Sequence, residues 1–567
     1  MTIFSRIISS LLLSMSVAAV RAQCLTGVPS PKYEVRAVWL TTIGGIDWPH
    51  GYAQSARSVQ RQKDELRTIL DKLQRANINT VLLQTRIRAT TIYPSRLEPW
   101  DGCLSGVPGK SPGYDALAFA IEECHRRGME LHAWVVAIPV GKWNGAGCRK
   151  LRARHPELVR KIGDEGFMNP ERPRTADYIA DICDEITRCY DIDGIHLDYI
   201  RYPETWNISV PLQRGRSYIT NIVRTVSKRV KARKPWVKMS CSPIGKFDDL
   251  SRFWSHGWNA YTRVCQDAQG WLREGIMDEL FPMMYFRGEQ FYPFAVDWAE
   301  QSYGRIVAPG LGIYFMSPRE KDWPLDDITR EMEVTRQYGM GHAFFRSKFF
   351  TDDTKGIFRF TERFNGSPAL VPPMTWERSS KPDAPTGLGI VPCEGKKVWR
   401  LGWTPADRDT VAVRYNVYSS RRCPVDVSVG DNILAVRLKR WHLLVPADSS
   451  RYYAVTAVDR YGNESKPVQL RDADDGQYVE GGTAKWAAWL LPCDNSTVML
   501  PESVSAINGE LVTIESVYGR AVATSVVRNG RVGVSRLDDG LYTVRSFGKK
   551  GQTHRLGRFM IKRQRQR

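Results

Sequence analysis

Short apolar runs alternate with amphipathic stretches from Tyr33 to about Phe350. The apolar runs predict eight strands, at Val35–Thr41, Thr80–Thr85, Glu130–Val136, Gly194–Ile200, Val237–Ser242, Glu279–Tyr285, Arg305–Ile313 and Gly341–Arg346. Between the strands, apolar residues recur at the spacing of a helix face, for example at Leu66, Ile69, Leu70 and Leu73. Eight strands separated by helices over about 320 residues predict an α/β fold, a (β/α)8 TIM barrel, rather than an open doubly wound sheet.

The pattern changes after Phe350. Residues 366–384 are rich in proline, which predicts a linker between domains. Residues 385–470 and 498–562 show short strands with two-residue alternation, which predicts two small all-β domains. In the second one, Asn529-Gly530 and Asp539-Gly540 are dipeptides typical of hairpin turns. The 567 residues are therefore predicted to hold a barrel at 33–365 followed by two β-domains.

The β-domains contain two stretches with family resemblances. "YNVYSS" and "YYAVTAVDRYGNES", preceded by Trp399 and Trp403, resemble a fibronectin type III sandwich. The ending "LDDGLYTVRSFGKKGQTHRLGRFMIKR" resembles the carboxyl-terminal domain that type nine secretion systems of Bacteroidetes use as a sorting signal. The second resemblance implies an exported chain.

The amino terminus, residues 1–22, has the pattern of a secretory signal peptide. Arg6 gives the positive start, an apolar stretch follows from Ile7 to Val20, and Val20-Arg21-Ala22 is a small-residue cleavage site. We expect a secreted mature chain that begins at Gln23, in the periplasm or at the cell surface of a bacterium. No later stretch approaches the roughly 18 apolar residues of a spanning helix, so no transmembrane segment is predicted.

Eleven cysteines are present, and in an exported protein some of them could form disulfides. Cys124, Cys183 and Cys241 fall on faces predicted to be buried, where a free thiol packs as a small apolar group. No Cys-x-x-Cys occurs, so a cysteine zinc site is not predicted, and no cofactor is expected. Cys24 leaves a lipid anchor open, although Gln23 stands where lipoprotein signals have Gly, Ala or Ser.

Basic residues outnumber acidic ones, 81 to 61, which gives a net charge of +20 and favours contact with polyanions, acidic glycans or anionic membrane surfaces. The basic residues are scattered, and the dense runs at 228–234 and 562–567 lack the interleaved aromatics of a single-strand nucleic-acid surface. No nucleic-acid partner is predicted. The 18 Trp and 23 Tyr instead favour a sugar-binding cleft, in a chain expected to act as a monomer on a polysaccharide.

The segment "DGIHLDYIRYP", residues 193–203, is the strongest candidate for chemistry. His196 and Asp198 are two apart on a strand, so both are expected to project into the barrel near its upper rim. A carboxylate there, followed by Tyr199 and Arg201, suits a glycosidase that needs an acid or nucleophile beside groups that hold a sugar. Asp198 is the predicted principal catalytic residue. The alternative is a buried Asp–Arg pair that anchors the loop.

The segment "QTRIRATTIYPSRLEPWDG", residues 84–102, follows the second predicted strand. Its candidates are two arginines at the rim, two aromatic rings for stacking, and two carboxylates that could partner Asp198; they are Arg86, Arg88, Tyr93, Trp100, Glu98 and Asp101. Glu98 is the predicted second catalytic residue. The alternative is an ordered loop without chemistry, since Pro94 and Pro99 stiffen the segment.

Further residues stand at the carboxyl ends of the other strands, where barrel chemistry takes place. Those predicted to bind substrate are Trp39, Trp134, His196, Tyr285 and Arg346; the others are Thr41, Asp47, His132, Ser242, Met284, Glu289 and Tyr314. Each alone is more often a packing residue than a functional one. Together they describe a cleft lined by rings and a few charges.

These two segments, together with "EVRAVWLTTIGGIDWP", "PGYDALAFAIEECHRRGMELHAWV", "QDAQGWLREGIMDELFPMMYF" and "GHAFFRS", resemble the glycosyl-hydrolase-like family-ten proteins of bacteria over residues 33–365. The resemblance implies a TIM-barrel hydrolase that is exported, and some members are similar to enzymes that cut the glycan strands of peptidoglycan. Two positions depart from the family pattern. Thr90 and Tyr199 stand where members commonly have acidic residues.

The sequence therefore supports three hypotheses. The first is a secreted glycosidase that cuts a cell-wall or environmental polysaccharide with Asp198 and Glu98. The second is a barrel that binds glycan without cutting it, which the neutral Thr90 and Tyr199 favour. The third takes His196 and Asp198 as metal ligands of a deacetylase-like site, although no third ligand stands at a suitable spacing.

Overall fold

The structure, a computed structural model, describes residues 30–253, 256–393, 397–406, 413–469, 491, 493–500, 509–516, 521–547 and 553–561. The predicted signal peptide, Cys24 and the basic run at 562–567 lie outside these residues.

Strands and α-helices alternate up to residue 365 of the described chain, and strands predominate after it. The strands are β1 (Arg36–Leu40), β2 (Thr80–Arg86), β3 (Glu130–Val136), β4 (Pro139–Lys142), β5 (Val159–Ile162), β6 (Glu165–Met168), β7 (Gly194–Asp198), β8 (Lys238–Cys241), β9 (Glu279–Leu280), β10 (Ile306–Val307), β11 (Gly310–Leu311), β12 (His342–Phe344), β13 (Thr386–Pro392), β14 (Val398–Thr404), β15 (Arg414–Ser420), β16 (Ile433–Leu438), β17 (His442–Pro446), β18 (Tyr452–Val458), β19 (Val468–Gln469), β20 (Thr497–Met499), β21 (Leu511–Ser516), β22 (Ala521–Val526), β23 (Arg531–Gly533), β24 (Gly540–Phe547) and β25 (Thr553–Ile561). The α-helices are α1 (Ala56–Arg75), α2 (Gly102–Ser105), α3 (Ala116–Arg126), α4 (Ala146–Arg154), α5 (Pro173–Cys189), α6 (Leu212–Arg233), α7 (Ala260–Arg263), α8 (Ala268–Arg273), α9 (Tyr292–Glu300), α10 (Leu325–Gln337), α11 (Ser347–Thr351) and α12 (Ile357–Phe364).

Parallel strands form a closed ring in the amino-terminal part of the chain. The order is β1, β2, β3, β7, β8, β9, then β10 with β11, then β12. β10 and β11 are two pieces of one predicted strand: β10 pairs with β9, β11 pairs with β12, and β12 pairs with β1. The predicted TIM-type barrel is therefore confirmed. A small antiparallel sheet of β4, β6 and β5 follows β3.

Alternate residues of each barrel strand face either the helices or the lumen. On β7, Ile195 and Leu197 belong to the core between strands and helices, whereas His196 hydrogen-bonds across the lumen to Trp39. Gly194 also faces the lumen, because a Cβ built on it would lie 2.5 Å from the His132 ring. Only glycine fits there, so the ring of His132 can occupy the barrel axis.

The amino-terminal ends of the barrel strands, called the barrel floor below, carry charged residues. Glu130 accepts hydrogen bonds from Lys238 at 2.8 Å and from Arg437, which belongs to the following β-domain. Arg437 also donates to Asp193 at 2.5 Å. Burial would raise the pKa of Glu130, but Lys238 and Arg437 lower it to about 2. Charges from two parts of the chain therefore neutralise each other in the barrel floor.

The residues after the barrel form two antiparallel sheets that share one hydrophobic core. One sheet has the order β13-β14-β17 and the other β16-β15-β18-β19. Their shared core includes Leu401 and Trp403 from the first sheet and Val417 and Val455 from the second. An all-β domain is thus present, while its membership of the fibronectin type III family stays a prediction.

The predicted linker at 366–384 is held against the barrel floor. Leu370 exchanges backbone hydrogen bonds with Lys32 at 2.8 Å and Glu34 at 3.0 Å, and the Trp376 indole donates to Asp278 at 2.8 Å. The backbone amide of Met374 in turn donates to the carbonyl of Tyr461 in the β-domain, at 2.8 Å. Proline favours an extended backbone in this segment, and its neighbours fix its path, so it is a strap rather than a free spacer.

The last described strands form a two-stranded sheet, β20-β23, and a four-stranded sheet, β22-β21-β24-β25. Asn529 and Gly530 both have positive φ, at 51° and 68°, and Arg528 pairs with Arg531 across them. This confirms the first predicted hairpin turn. The prediction at Asp539-Gly540 is wrong, because β24 begins there and pairs with β21 and β25 rather than with the strand before it.

Each of the ten cysteines within the described ranges has a free thiol. Cys124, Cys183 and Cys241 are buried as predicted. The expectation that some cysteines pair is therefore not met among these ten, because the buried ones pack as separate members of the barrel core. The described helices also include none that is both long and apolar enough to cross a membrane.

We expect Arg437→Met to destabilise the protein by about 3–5 kcal/mol, because the change leaves two buried carboxylates, Glu130 and Asp193, short of a cation. Urea unfolding followed by tryptophan fluorescence measures the loss. Arg422→Met is the matched control: Arg422 is exposed on the same domain, and its removal should change stability by less than about 0.5 kcal/mol. Equal effects of the two substitutions would show that the floor contact adds nothing.

Candidate active site

Asp198 is the last residue of β7 and lies at the carboxyl-terminal mouth of the barrel. Its Oδ1 accepts hydrogen bonds from the Ser242 hydroxyl at 2.7 Å and from the Tyr199 backbone amide at 2.8 Å. Its Oδ2 accepts one from the Trp134 indole at 3.1 Å. The residue is 7% exposed. Donors from three neighbouring positions therefore fix the orientation of a nearly buried carboxyl group.

Burial raises the pKa of Asp198 above its ordinary value. Arg201 and the donors Ser242, Tyr199 and Trp134 act in the opposite direction but do not cancel the effect of burial. The donors are neutral, and no cation forms an ion pair with Asp198 within the described part of the chain. The site thus favours the protonated carboxylic acid more than water does.

Tyr199 and Arg201 form the edge of the site next to Asp198. Tyr199 has a φ of 50°, and residues with side chains adopt this left-handed conformation mainly where neighbours enforce it. The Arg201 guanidinium lies 4.0 Å from the centre of the Tyr199 ring, and its Nη2 donates to Glu204 at 2.8 Å. Within the described residues, Nε and Nη1 of Arg201 are buried and make no hydrogen bond.

Glu204 is a second carboxylate at the same edge. Its side chain is 44% exposed. Burial would raise the pKa of Glu204, but the charge and hydrogen bond of Arg201 lower it below its ordinary value. The pKa of Asp198 is raised by burial and that of Glu204 is lowered by Arg201, and two carboxylates shifted in opposite directions are a pattern that separates an acid from a base.

His196 lies one layer below Asp198 in the lumen. Trp39 donates to its Nε2 at 3.2 Å, and its Nδ1 lies 3.1 Å from the Ser240 hydroxyl. Burial, together with His132, lowers the pKa of His196 well below its ordinary value. A neutral imidazole with both nitrogens engaged supports the mouth from beneath. Among the residues that the structure describes, no three His, Cys, Asp or Glu side chains are grouped to hold a metal.

Aromatic rings form one wall of the mouth. Tyr285 contacts the Phe345 ring at 5.4 Å and the Tyr314 ring at 5.6 Å between centres. Tyr285, Tyr314 and Phe345 are all partly exposed. Burial raises the pKa of Tyr285, and Asp198 adds to this effect, which brings the phenol into the electrostatic surroundings of the carboxyl group. Such rings present flat surfaces of the kind that sugars stack against.

Arg86 and Glu98 form a buried ion pair rather than two separate rim groups. Arg86 Nε donates to Glu98 Oε2 at 2.8 Å, and Nη2 donates to Oε1 at 2.7 Å. The Tyr178 hydroxyl donates to Oε1 as well, at 3.1 Å. Arg86 Nη1 in turn donates to the carbonyls of Val136 and Ala137 at the end of β3. Both oxygens of Glu98 are thus occupied, and the pair fixes the loop after β2 to β3.

The other predicted residues have partners away from Asp198. Tyr93 is buried and donates to Glu185 at 3.1 Å, and Trp100 packs against the main core. Arg346 donates to Asp47, which also accepts from the Thr41 hydroxyl. The Thr90 hydroxyl donates to Asp101 at 2.6 Å, and Arg88 forms an ion pair with Glu165 at 4.0 Å.

The structure therefore gathers Asp198, Trp134, Tyr199 and Ser242 through direct hydrogen bonds, with Arg201 and Tyr285 beside them. It pairs Glu98, Arg86, Tyr93 and Arg346 with other groups. Sequence reasoning missed Glu204. The available signal was its position three residues after Arg201 in the same loop.

Comparison with known proteins relates this chain to a family of glycosyl-hydrolase-like proteins. Residues 34–213 and 208–314 match the family model "Glycosyl hydrolase-like 10". "Glycosyl hydrolase YngK" from Bacillus subtilis (strain 168) is 29% identical over 477 residues, which cover 76% of this chain and 92% of the relative. "Glycosyl hydrolase DigH" from Escherichia coli (strain K12) is 26% identical over 347 residues, which cover 53% of this chain and 78% of the relative. Among solved structures, alpha-L-fucosidase isoenzyme 2 from Paenibacillus thiaminolyticus matches with a TM-score of 0.39 and 14% identity, over 59% of this chain and 49% of that one.

Ser242→Ala should raise the pKa of Asp198 further, because it removes a 2.7 Å hydrogen bond that favours the charged carboxylate. A carboxyl-carbon NMR titration of aspartate-labelled protein measures the shift, with Asp198→Asn to assign the signal. In the control Ser217→Ala, the lost hydroxyl bonds only a helix carbonyl, that of Gln213, and the pKa should not move. An unchanged pKa in Ser242→Ala would contradict the assigned contact.

Proposed function

This chain belongs to the glycosyl hydrolase-like 10 family through residues 34–314, and we propose that it is an exported enzyme that hydrolyses O-glycosidic bonds of a polysaccharide. The proposed substrate is a cell-wall glycan of the peptidoglycan type or an environmental polysaccharide. The family and its relatives named glycosyl hydrolases support the reaction class. The signal-peptide pattern of residues 1–22 supports export.

The observation that carries the proposal is the environment of Asp198. Burial raises the pKa of its carboxyl group at the mouth of the barrel, and a glycosidase needs a carboxylic acid that is still protonated when the substrate binds. Asp198 is therefore the proposed general acid. Trp134, Ser242 and the Tyr199 amide hold its oxygens in place, so the proton is delivered from a fixed position.

In the proposed reaction, Asp198 donates its proton to the glycosidic oxygen as the bond from that oxygen to the anomeric carbon breaks. One sugar leaves as an alcohol. A water molecule adds its oxygen to the anomeric carbon, and an ionised carboxylate accepts the proton that this water loses. A proton then returns to Asp198 through solvent, which completes the cycle.

Glu204 is the proposed ionised partner, in place of Glu98. Arg201 lowers the pKa of Glu204, whose side chain is 44% exposed, so Glu204 is charged and accessible to water. Both oxygens of Glu98 are bonded to Arg86, and one also to Tyr178. We therefore propose that Glu98 is a positioning residue that fixes Arg86 and the loop after β2.

Asp198→Asn should lower kcat by at least about a thousandfold, because the variant has no proton to give to the leaving group. The assay is release of reducing ends from purified peptidoglycan glycan strands and from a panel of plant and microbial polysaccharides. Asp267→Asn is a matched control, since Asp267 is an aspartate whose pKa burial also raises, but it caps the separate helix α8. Full turnover in Asp198→Asn would exclude the assigned role.

Glu204→Gln and Glu98→Gln distinguish the two candidate partners. We expect Glu204→Gln to lower kcat by a hundredfold or more at an unchanged unfolding midpoint, because its side chain is partly exposed and its loss leaves the fold intact. Glu98→Gln should mainly lower the unfolding midpoint, because Arg86 then keeps its charge in the core without a carboxylate. Loss of kcat in Glu98→Gln alone, at unchanged stability, would return the catalytic role to Glu98.

A barrel that binds glycan without cutting it is the second candidate function. The observation in its favour is that Thr90 and Tyr199, which stand at positions commonly acidic in the family, supply no charge. Isothermal titration with the same glycan strands separates the two functions. A binder retains affinity in the unmodified protein but yields no new reducing ends.

A further inference from the structure

A cavity of about 770 Å³ lies at the junction of the barrel and the following β-domain, at the opposite end of the barrel from Asp198. Asn77 and Gly128, from the loops that precede β2 and β3, line one side, and Val436, Lys439 and Arg440 line the other. The volume is within the range of small-ligand sites, about 300–1,000 Å³. The cavity belongs to neither the mouth nor the proposed reaction.

Most charges around this cavity are paired. Arg126 donates to Glu122 at 2.8 Å, and Arg127 donates to Glu123 at 2.7 Å. Arg437, also in the lining, is held by the carboxylates of the barrel floor. Lys439 and Arg440 are different: both are exposed, and within the described ranges neither forms an ion pair with a carboxylate.

The carboxylates nearby are too few to balance these cations. The single carboxylate of Asp191 is contacted by three basic side chains: Arg460, Arg414 at 3.7 Å and the His125 ring at 3.7 Å. Burial, together with the charges of Arg437 and Arg460, lowers the pKa of Arg414 to about 10. Burial and Arg414 likewise lower the pKa of Lys439. Burial is the larger cause of both pKa shifts, and the neighbouring arginines add to it because like charges disfavour a further positive charge.

The lining also carries groups suited to a sugar ring. Leu434 and Leu443 supply apolar surface. The amide nitrogens of Gln74 and Asn77 donate to the carbonyls of Arg127 and Asn365, and their side-chain oxygens can accept from hydroxyl groups. The His125 ring, also in the lining, is held between Asp191 and Asp193. Apolar surface, amides and unpaired cations together suit a saccharide that bears an anionic group.

We propose that this interdomain cavity is a second, non-catalytic binding site for an anionic saccharide, in which Lys439 and Arg440 hold a carboxylate or phosphate group of the ligand. The proposal does not depend on the proposed glycosidase function, because it uses no residue of the barrel mouth. It gives the excess of basic residues in this chain a local role: an acidic glycan held at the barrel floor keeps the protein on the polymer.

Isothermal titration of the full-length protein tests the proposal with three probes: hexagalacturonic acid, N-acetylglucosamine 6-phosphate and neutral maltohexaose. We expect the first or second probe to bind and maltohexaose not to bind. The double substitution Lys439→Gln with Arg440→Gln should weaken binding at least tenfold, and raising NaCl from 50 to 300 mM should weaken binding to the unmodified protein because the contacts are charged. The stronger of the two acidic probes identifies the preferred anionic group.

Two control variants locate the site. Arg421→Gln with Arg422→Gln removes the same charge from exposed positions of the same domain outside the cavity, and should change the affinity less than twofold. Arg201→Ala at the barrel mouth should also retain binding. Equal losses in both double variants would indicate nonspecific attraction, and loss only in Arg201→Ala would place the anionic saccharide at the mouth. Either result, or no binding of either acidic probe, would overturn the proposal.

Discussion

Closing parallel strands into a ring creates a lumen that side chains must fill, and any polar group placed there loses its contact with water. In this barrel Trp39, Trp134 and Phe281 belong to one buried apolar cluster in the lumen. The polar residues of the lumen are then held by one another, as His196 is by Trp39 and Ser240. Glu279 shows the cost: its buried oxygens make no hydrogen bond among the described residues, the His132 ring lies 3.8 Å away, and burial raises its pKa to about 7.

The two ends of the lumen meet this constraint in different ways. At the floor, Lys238 and Arg437 provide full positive charges, and the pKa of Glu130 falls to about 2. At the mouth, Asp198 receives only neutral donors, with Arg201 near but not bonded to it, and its pKa rises. The same type of group therefore has its charged form favoured at one end and its protonated form favoured at the other. The charge of the neighbouring residues therefore decides whether the pKa of a buried carboxyl group in this barrel falls or rises.

Periodicity in the sequence is sufficient to predict the barrel, because strand residues alternate between lumen and helix faces, as on β7, and long helices such as α1 carry an apolar stripe. It also places Asp198 correctly at the rim, since a residue two after His196 must share its face. Periodicity does not predict which residues distant in the sequence contact one another in the folded chain. Nothing in the twelve-residue separation of Arg86 and Glu98 says that the loop folds back to join them. The prolines of 366–384 likewise indicate an extended path, but only contacts show that this segment is a docked strap.

Tyr199 stands where members of the family commonly have an acidic residue, and this difference changes the charges at the barrel mouth. A second acid next to Asp198 would repel its charge and raise its pKa further; a tyrosine cannot. The left-handed φ of Tyr199 instead accompanies a backbone amide that bonds Asp198, and its ring lies under Arg201. Arg201 is thereby held by the Tyr199 ring and by Glu204. In the proposed mechanism Glu204, five residues after Tyr199, supplies the second carboxylate, and Arg201 lowers its pKa.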